Sequence, residues 1–347
     1  MTLLKMSKGP NPLHGWQFEP AKAGFVGRDL QRPECILAER DGTLWAADAR
    51  GGVMKIAPGG RQDLILQSAD GHFDLQADAA ASLLGGTLPN GLAFGPGGDI
   101  LIANFGTDRL ERMTRDGSTR VLCDSIDGQP MGKVNFVLCD SRGRIWLTVS
   151  TRTNPWNDAL RPDFADGYIA LMDEHGLRIV ADGFAFTNEI RFDEHEEWLY
   201  VAETARRRVT RLRVGADGSL SARETYGPET LGAGFVDGIA FDAYGNLWAT
   251  MIFADRLIAI TPQGEVLTLL EDGNAEGLAG LEAAVAGGDA PSFDVLMKAG
   301  GTLCPWLASV TFGGPNLDQV YLGGLRATTI PVFSSPVAGL PMAHWNA

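Results

Sequence analysis

The sequence predicts an all-β fold, a six-bladed β-propeller with four antiparallel strands in each blade. Three observations lead to this prediction. One strand-turn-strand pattern occurs six times along the 347 residues, further short strands follow each copy, and the chain contains 44 glycines and 18 prolines. Repeats of about 40–50 residues that each supply four strands are typical of propeller blades. So much glycine and proline disfavours helical repeats.

Each copy opens with a polar or acidic residue, continues as an alternating apolar strand, turns at glycine or charged residues, and enters a second strand. Alternation with a period of two indicates a β-strand. Five copies read PECILAERDGTLWAAD, PNGLAFGPGGDILIAN, VNFVLCDSRGRIWLTV, TNEIRFDEHEEWLYVAE and VDGIAFDAYGNLWATM. A sixth, LASVTFGGPNLDQVYLGG, matches in its strands but opens with Ala308. Large β-forming residues recur in the second strands and are suited to packing between sheets: Trp45, Ile102, Trp146, Tyr200, Trp248 and Tyr321.

The spacing of the copies predicts one propeller domain over residues 1–347, with insertions. Consecutive opening residues are separated by 56, 45, 53, 49 and 71 residues, so extra segments stretch some blades. We place rim insertions at residues 67–89, 151–166 and 273–306; the last contains GLAGLEAAVAGG, which can form a helix. Residues 1–33 are the candidate for a closing strand, because ring closure leaves no exposed sheet edge.

Composition and charge exclude several classes of partner. A net charge of −14 without a Lys/Arg cluster argues against nucleic acid and anionic membranes. No stretch approaches the roughly 20 apolar residues of a membrane span, and the first residues lack the apolar core of a signal peptide. The four cysteines show no CxxC spacing, so we expect reduced thiols. We therefore expect a cytoplasmic protein that acts on a small molecule; its oligomeric state is not predicted.

The opening residues form the candidate site. In a propeller the first strand of every blade lines the central channel, so equivalent residues meet around one axis. Asn and Asp are also common at turns and strand starts, and each position alone is compatible with that role. Together, carboxylate and amide oxygens without a converging His or Cys predict a hard divalent cation, calcium, with magnesium, manganese and zinc as alternatives. The oxygen-bearing residues are Glu34, Asn90, Asn135, Asn188 and Asp237.

These segments resemble the family of senescence marker protein, gluconolactonase and luciferin-regenerating enzyme, which are calcium-dependent six-bladed propeller lactonases. The resemblance extends over about residues 33–336 and rests on PECILAERDGTLWAAD, KVNFVLCDSRGRIW, TNEIRF and VDGIAFDAYGNLW. It implies that Glu34, Asn188 and Asp237 are metal ligands. It also implies that Asn135 lies beside the metal, as a ligand and as a contact to the substrate.

Further residues near these motifs are candidates for substrate binding. Lys133 takes the place where family members often carry Arg, and Phe136 replaces a customary Asp. Phe235, two residues before the fifth-blade ligand, is a further candidate. Glu189 is not a candidate but a departure from the family pattern, because it follows the fourth-blade ligand where Gly is usual. Asn90, in the PNG motif, is a candidate for contact with substrate or water, with turn formation as the alternative. Both a sugar lactone and a more apolar lactone remain possible substrates.

The predicted reaction is metal-dependent hydrolysis of a lactone, with Asp237, Asn135 and Glu34 as catalytic residues. A carboxylate would accept the proton of the attacking water, and Asn135 would stabilise the developing oxyanion. Two alternatives remain open. The same metal could serve ester or phosphotriester hydrolysis, or calcium could be structural in a propeller that only binds a ligand. The sequence contains no GxSxG motif to support a serine nucleophile.

The rim insertions carry aromatic residues that either line an entrance to the site or pack the insertions against the blades. His72 lies in the first insertion and is expected to be solvated. The candidates for an apolar vestibule are Phe73, Phe136, Trp156, Phe186, Phe235, Phe293 and Trp306.

Overall fold

The computed structural model of the chain describes residues 9–68 and 86–346. It confirms the predicted architecture, because six sheets of four antiparallel strands form the blades of a propeller. Strand β1 (Gly24–Val26) comes first in the chain and belongs to the last blade. No helix within the two described ranges is long and apolar enough to cross a membrane.

The blades follow one another along the chain, each beginning with its innermost strand. The first contains β2 (Ile36–Ala38), β3 (Leu44–Asp48), β4 (Gly52–Ile56) and β5 (Gln62–Leu66), and the second β6 (Pro89–Phe94), β7 (Ile100–Asn104), β8 (Arg109–Met113) and β9 (Thr119–Cys123). A short hairpin, β10 (Ser125–Ile126) and β11 (Gln129–Pro130), precedes the third blade of β12 (Val134–Cys139), β13 (Ile145–Val149), β14 (Gly167–Asp173) and β15 (Gly176–Phe184). The fourth contains β16 (Thr187–Phe192), β17 (Trp198–Glu203), β18 (Arg208–Val214) and β19 (Leu220–Tyr226). The fifth contains β20 (Phe235–Phe241), β21 (Leu247–Ile252), β22 (Arg256–Ile260) and β23 (Val266–Glu271), and the sixth β24 (Leu307–Gly313), β25 (Gln319–Gly324) and β26 (Ile330–Ser334).

The sixth blade joins the two ends of the chain. Strand β1 pairs with β26 in antiparallel register, with Gly24 opposite Val332 and Val26 opposite Ile330. The N-terminal segment therefore supplies the outermost strand of the last blade, which links the first and last parts of the chain into a closed ring.

Two of the expected rim insertions have local structure of their own. Residues 151–166 contain a short 3₁₀ helix, Trp156–Ala159, and residues 273–306 contain α1 (Ala275–Ala286) and α2 (Phe293–Lys298). Both α-helices begin at a side-chain cap, from Asn274 Oδ1 and Ser292 Oγ respectively. Most of the first insertion, including His72 and Phe73, lies outside the described residues.

The buried tryptophans in the second strands share one hydrogen-bond pattern. In three blades the indole nitrogen donates to a carboxylate six residues earlier in the chain, at the turn after the first strand. The pairs are Trp45 with Glu39 at 2.7 Å, Trp146 with Asp140 at 2.9 Å, and Trp248 with Asp242 at 2.9 Å. The repeated residue thus packs its ring between sheets while its polar atom anchors the turn.

The end of the channel where the innermost strands finish is lined by the C-terminal segment. Residues 340–345 and the strand ends enclose a cavity of about 450 Å³. His344 Nε2 lies 3.1 Å from the carbonyl oxygen of Ala38. The candidate site lies at the opposite end, where the innermost strands begin. The cavity formed with the C-terminal segment includes the strand ends Ala38, Cys139, Phe192, Phe241 and Phe312.

We predict that Asp242→Asn lowers the free energy of unfolding by about 2–4 kcal/mol, because two buried donors lose their acceptor. Oδ2 of Asp242 accepts from Trp248 Nε1 and from Asn246 Nδ2, and an amide nitrogen in that place would face both donors. Urea denaturation measures the change. Asp193→Asn is the matched control, because Asp193 accepts its two backbone bonds through Oδ1, which asparagine retains. Equal stability of the two variants would contradict the assigned role of the indole-carboxylate pair.

Candidate functional site

Seven polar side chains line one cavity of about 60 Å³ at the end of the channel where the innermost strands begin. We call these residues the polar ring. Each predicted oxygen-bearing residue belongs to it, and each is at most 5 % exposed. Residues far apart in the chain therefore share one buried site at the channel axis. The polar ring consists of Arg32, Glu34, Asn90, Asn135, Asn188, Thr204 and Asp237.

Irregular strand pairing sets the direction of these side chains. In the second to sixth blades, the register between the first and second strands shifts at the opening residue of the blade. A β-bulge of this kind turns a side chain away from the regular alternation of the strand. The shifts lie across Asn90, Asn135, Asn188, Asp237 and Ala308.

Glycine allows neighbouring innermost strands to approach each other beside the ring. A Cβ atom on Gly91 would lie 2.6 Å from Phe136 Cα and 2.9 Å from Asn135 O. Gly238, directly after Asp237, has equally close backbone neighbours in the sixth blade. The PNG and VDG motifs thus combine an oxygen-bearing side chain with the small residue that close strand contact requires.

Asn90 connects three members of the ring. Its Oδ1 accepts a hydrogen bond from Arg32 at 2.5 Å, and its Nδ2 donates to Glu34 Oε1 at 3.0 Å and to the backbone oxygen of Asn135 at 3.1 Å. Arg32 also donates to the carbonyl oxygen of Pro89 at 3.0 Å. This network fixes the first three blades relative to each other at the site.

Two bridges connect the fourth blade with the fifth. Thr204 Oγ1 accepts from Asn188 Nδ2 at 3.2 Å and donates to the carbonyl oxygen of Val236 at 2.8 Å. Below them, Glu189 accepts from the backbone nitrogen of Ile239 at 3.1 Å and forms an ion pair with Arg191 at 2.8 Å. The strands that carry Asn188 and Asp237 are therefore tied together on both sides of the ring.

Two oxygen atoms of the ring lack a donor. Glu34 Oε2 and Asn188 Oδ1 are buried, and no hydrogen-bond donor of the described residues reaches them. A buried acceptor without a partner is costly, so its presence at a convergent site calls for an explanation. A cation bound between the carboxylates and the amides would satisfy both atoms.

The electrostatics of the ring favour a positive charge at its centre. Burial raises the pKa of Glu34 to about 8 and that of Glu189 to about 7. The pKa of Asp237 is also raised well above its usual range, by burial first and then by the charges of Glu34 and Glu189. Arg32 opposes these shifts, but burial lowers its own pKa. A hard cation would stabilise the ionised carboxylates.

The donor set combines carboxylates with amides. In residues 9–68 and 86–346, no three His, Cys, Asp or Glu side chains lie close enough to share a metal ion. Glu34 and Asp237 are joined instead by the amide side chains of Asn135 and Asn188. Oxygen donors of these two kinds suit calcium, which takes six to eight ligands and accepts water among them.

Three residues predicted to bind substrate lie outside the lining of the cavity. Lys133 forms an ion pair with Asp108 at 2.9 Å. Phe136 is fully buried beneath the guanidinium of Arg191, 4.5 Å from its ring centre, and Phe235 is fully buried beside Arg207. Their roles in substrate binding stay predictions.

Sequence reasoning missed Arg32 and Thr204. Arg32 precedes the first repeat, so comparison of the repeats gives no signal for it. Thr204 follows the second strand of its blade, a position at which Phe105, Phe253 and Leu325 also line the cavity in other blades. Alignment of the residues after the second strands would have identified that position as part of the site.

Apolar residues line the rest of the cavity, and we call them the apolar wall. Three expected vestibule residues, Trp156, Phe186 and Trp306, belong to it. Phe293 packs against Trp306, with ring centres 6.2 Å apart. The apolar wall consists of Phe105, Trp156, Leu160, Phe186, Ile252, Phe253, Trp306 and Leu325.

The chain matches known proteins over most of its length. Residues 33–273 match the family described as SMP-30/Gluconolactonase/LRE-like region. A pentonolactonase, XacC of Haloferax volcanii, is 27% identical over 226 residues, which cover 64% of this chain and 62% of that protein. A 6-deoxy-6-sulfogluconolactonase of Pseudomonas putida is 26% identical over 148 residues, 42% of this chain and 48% of that protein. The chain thus spans about six tenths and about half of these relatives.

Solved structures of the same fold include a gluconolactonase and a regucalcin. A gluconolactonase from Xanthomonas campestris superposes with a TM-score of 0.62 at 19% identity, covering 89% of each chain. Regucalcin from Agrobacterium tumefaciens, named as a calcium-binding protein, superposes with a TM-score of 0.63 at 14% identity, covering 91% of this chain and 95% of that chain. At these identities the superpositions establish the shared fold.

We predict that Gly91→Ala destabilises the protein by about 1–3 kcal/mol, because the added methyl group overlaps the backbone at Phe136 and forces the innermost strands of two blades apart. Thermal and urea denaturation measure the loss. Gly59→Ala is the matched control, since its Cβ would meet no atom within 4 Å. A Gly91→Ala protein as stable as this control would show that the close strand contact is not required.

Proposed function

Because the chain belongs to the SMP-30/Gluconolactonase/LRE-like family, we propose that it is a hydrolase that opens lactones with a hard divalent cation, calcium, held in the polar ring. The observation that carries the proposal is the pair of buried acceptors, Glu34 Oε2 and Asn188 Oδ1, beside the carboxylate of Asp237. The two curated relatives named as lactonases support the reaction type.

Four residues are proposed to hold the cation. Glu34 and Asp237 supply two negative charges, which balance those of a dication. Asn188 supplies an amide oxygen, and Asn135 supplies a second or contacts the substrate beside the cation. The bridges from Asn90 and Thr204 keep these side chains in place, and such supporting hydrogen bonds commonly affect metal affinity.

A bound dication polarises a carbonyl group and lowers the pKa of water. In the proposed reaction, Glu34 or Asp237 accepts a proton from water as its oxygen attacks the lactone carbonyl. The amide nitrogen of Asn135 donates a hydrogen bond to the carbonyl oxygen and so orients the lactone ring. The C–O bond of the ring then breaks, the proton passes from the carboxyl group to the leaving alkoxide, and a hydroxy acid forms.

The charges of the site suit this reaction. Glu34, Asp237 and Arg32 together carry one net negative charge when ionised, so a dication leaves the ring with one net positive charge. The Glu189–Arg191 ion pair adds no net charge. Developing negative charge on the carbonyl oxygen is therefore stabilised in a site shielded from bulk water.

We predict that Asp237→Asn lowers kcat/KM for lactones by about 100-fold or more, because it removes a cation ligand and one candidate base. Calcium affinity, measured by isothermal titration calorimetry, should fall with it. Asp193→Asn, in a turn at the other end of the fourth blade, is the control and should retain both properties.

A panel of substrates separates lactone hydrolysis from ester or phosphotriester hydrolysis at the same site. The assay should include aryl esters and organophosphates beside five- and six-membered lactones, with proton release as the readout. Full lactonase activity in the presence of a chelator would contradict the proposed role of the cation.

We further predict that calcium binding weakens as the pH falls from 8 to 6. Burial raises the pKa of Glu34 from its ordinary value of 4.5 to about 8, so calcium must displace a proton over this range. Each displaced proton makes the affinity fall by about tenfold per pH unit below the pKa of its group. The raised pKa of Asp237 strengthens the same trend.

The cation-free protein should show the converse trend in stability. Because the folded-state pKa of Glu34 is raised, its contribution to stability is present below about pH 4.5 and is lost as the pH rises through about 8. Calorimetric titrations at pH 6, 7 and 8, with unfolding curves in chelator, test both trends. A calcium affinity independent of pH would place the cation elsewhere.

A further inference from the structure

The outer part of the candidate site is built from aromatic rings that support each other. Trp156 packs edge-on against Phe105, with ring centres 5.9 Å apart, and lies 6.0 Å from Phe186. Phe253 packs edge-on against Trp306 at 4.9 Å. Such contacts restrict ring movement, so the apolar wall is preformed rather than assembled around a ligand.

Most polar atoms of the ring already have partners within it. One terminal nitrogen of Arg32 donates to Pro89 and the other to Asn90, and both side-chain atoms of Asn90 are bonded within the ring. Arg32 Nε is a buried donor of the ring that has no partner among the described residues. Thr204 both donates and accepts between Asn188 and Val236. The remaining oxygens, on Glu34, Asn188 and Asp237, face the proposed cation. Asn135 is left to contact the reacting carbonyl.

A polyhydroxylated substrate would therefore be poorly matched to this part of the molecule. Its ring hydroxyls would leave water and meet Trp156, Phe186, Phe253 and the other members of the apolar wall. A hydroxyl without a partner in such a place loses its hydrogen bonds to water and gains none in return. An alkyl group in the same place would gain from burial.

The size of the cavity also restricts the size of the substrate. At about 60 Å³ it has room for about four to six water-sized groups, because one buried water needs about 10–15 Å³ on this measure. That space suits the ring of a γ-lactone, which has about six non-hydrogen atoms, while a short alkyl substituent would lie against the aromatic rings at the mouth of the cavity.

We propose that the substrate is a compact lactone whose ring carries an apolar substituent, packed against the apolar wall, rather than a polyhydroxylated sugar lactone. This inference rests on the proposed function of the same site. It separates the chain from the two relatives named for sugar-derived lactones. The apolar wall thus selects the substrate, while the polar ring performs the reaction.

The test compares kcat/KM of the calcium-loaded protein for γ-butyrolactone, γ-valerolactone and γ-heptalactone with that for glucono-δ-lactone and xylono-γ-lactone. We expect the alkyl lactones to exceed the sugar lactones by about 100-fold, since one methylene in an apolar pocket is worth about 10–200-fold. Sugar lactones that react faster, with calcium still required, would overturn this inference and leave the proposed function standing. Failure to open any lactone would overturn the proposed function and this inference together.

Substitution of Trp156 tests whether the alkyl substituent of the lactone contacts the apolar wall. Trp156 lies in a half-buried rim insertion, and Trp156→Ala should lower kcat/KM for γ-heptalactone by about tenfold or more while changing that for unsubstituted γ-butyrolactone by less than about threefold. Trp156→Phe retains an aromatic ring and should recover most of the loss. Trp198→Ala, in the fourth blade beneath Arg211, is the matched control and should leave both values unchanged. An equal loss for the two lactones, or no loss for either, would overturn the assignment of the apolar wall.

Discussion

Two buried carboxylates at one axis are the constraint on which the site depends. Glu34 and Asp237 are brought together from the first and fifth blades, and each is at most 5 % exposed. Burial makes their ionised forms unfavourable, as the raised pKa of each group indicates. Such a pair persists either protonated or neutralised by a cation. The amide groups around it, which carry oxygen without adding charge, favour the second arrangement. The hydrogen bonds of Asn90 and Thr204 then hold a preformed set of donors.

The propeller architecture provides this convergence at the cost of regular strand pairing. Five blades contribute an oxygen-bearing residue at or near the start of the innermost strand, and that residue must point into the channel rather than between the sheets. The register shifts in five blades and the close strand contact at Gly91 meet this requirement. The Trp248–Asp242 pair and its equivalents lie at the far end of the first two strands, where these strands pair without a register shift and the rings pack between sheets. Stability and site geometry thus depend on different parts of each repeat.

The repeat explains which features could be predicted from the sequence. Equivalent positions in a propeller meet at equivalent heights, so the five oxygen-bearing opening residues could be placed together without any coordinates. Arg32 could not, because it precedes the first repeat and is held in the ring by bonds to Pro89 and Asn90 of the second blade, which only the tertiary structure reveals. Phe136 lies outside the lining of the cavity, and its role in substrate binding stays a prediction. Strand geometry turns its ring between the blades, beneath Arg191, although its neighbour Asn135 faces the channel. Side-chain direction at a bulge depends on tertiary packing, which local pattern does not contain.

The polar and apolar residues of the site differ in where they lie in the chain. Glu34, Asn90, Asn135, Asn188 and Asp237 all lie within residues 33–273, the range that matches the family. In the apolar wall, Phe105, Phe186, Ile252 and Phe253 also lie in or beside the blades of this range, whereas Trp306 and Leu325 lie beyond it and Trp156 and Leu160 lie in a rim insertion. Insertions at a rim can change length and sequence while the blades that carry the ring remain in place. A family can therefore keep one arrangement of cation donors and change the surface that meets the rest of the substrate. The family match therefore bears on the proposed reaction, and the apolar wall bears on the substrate that we propose for it.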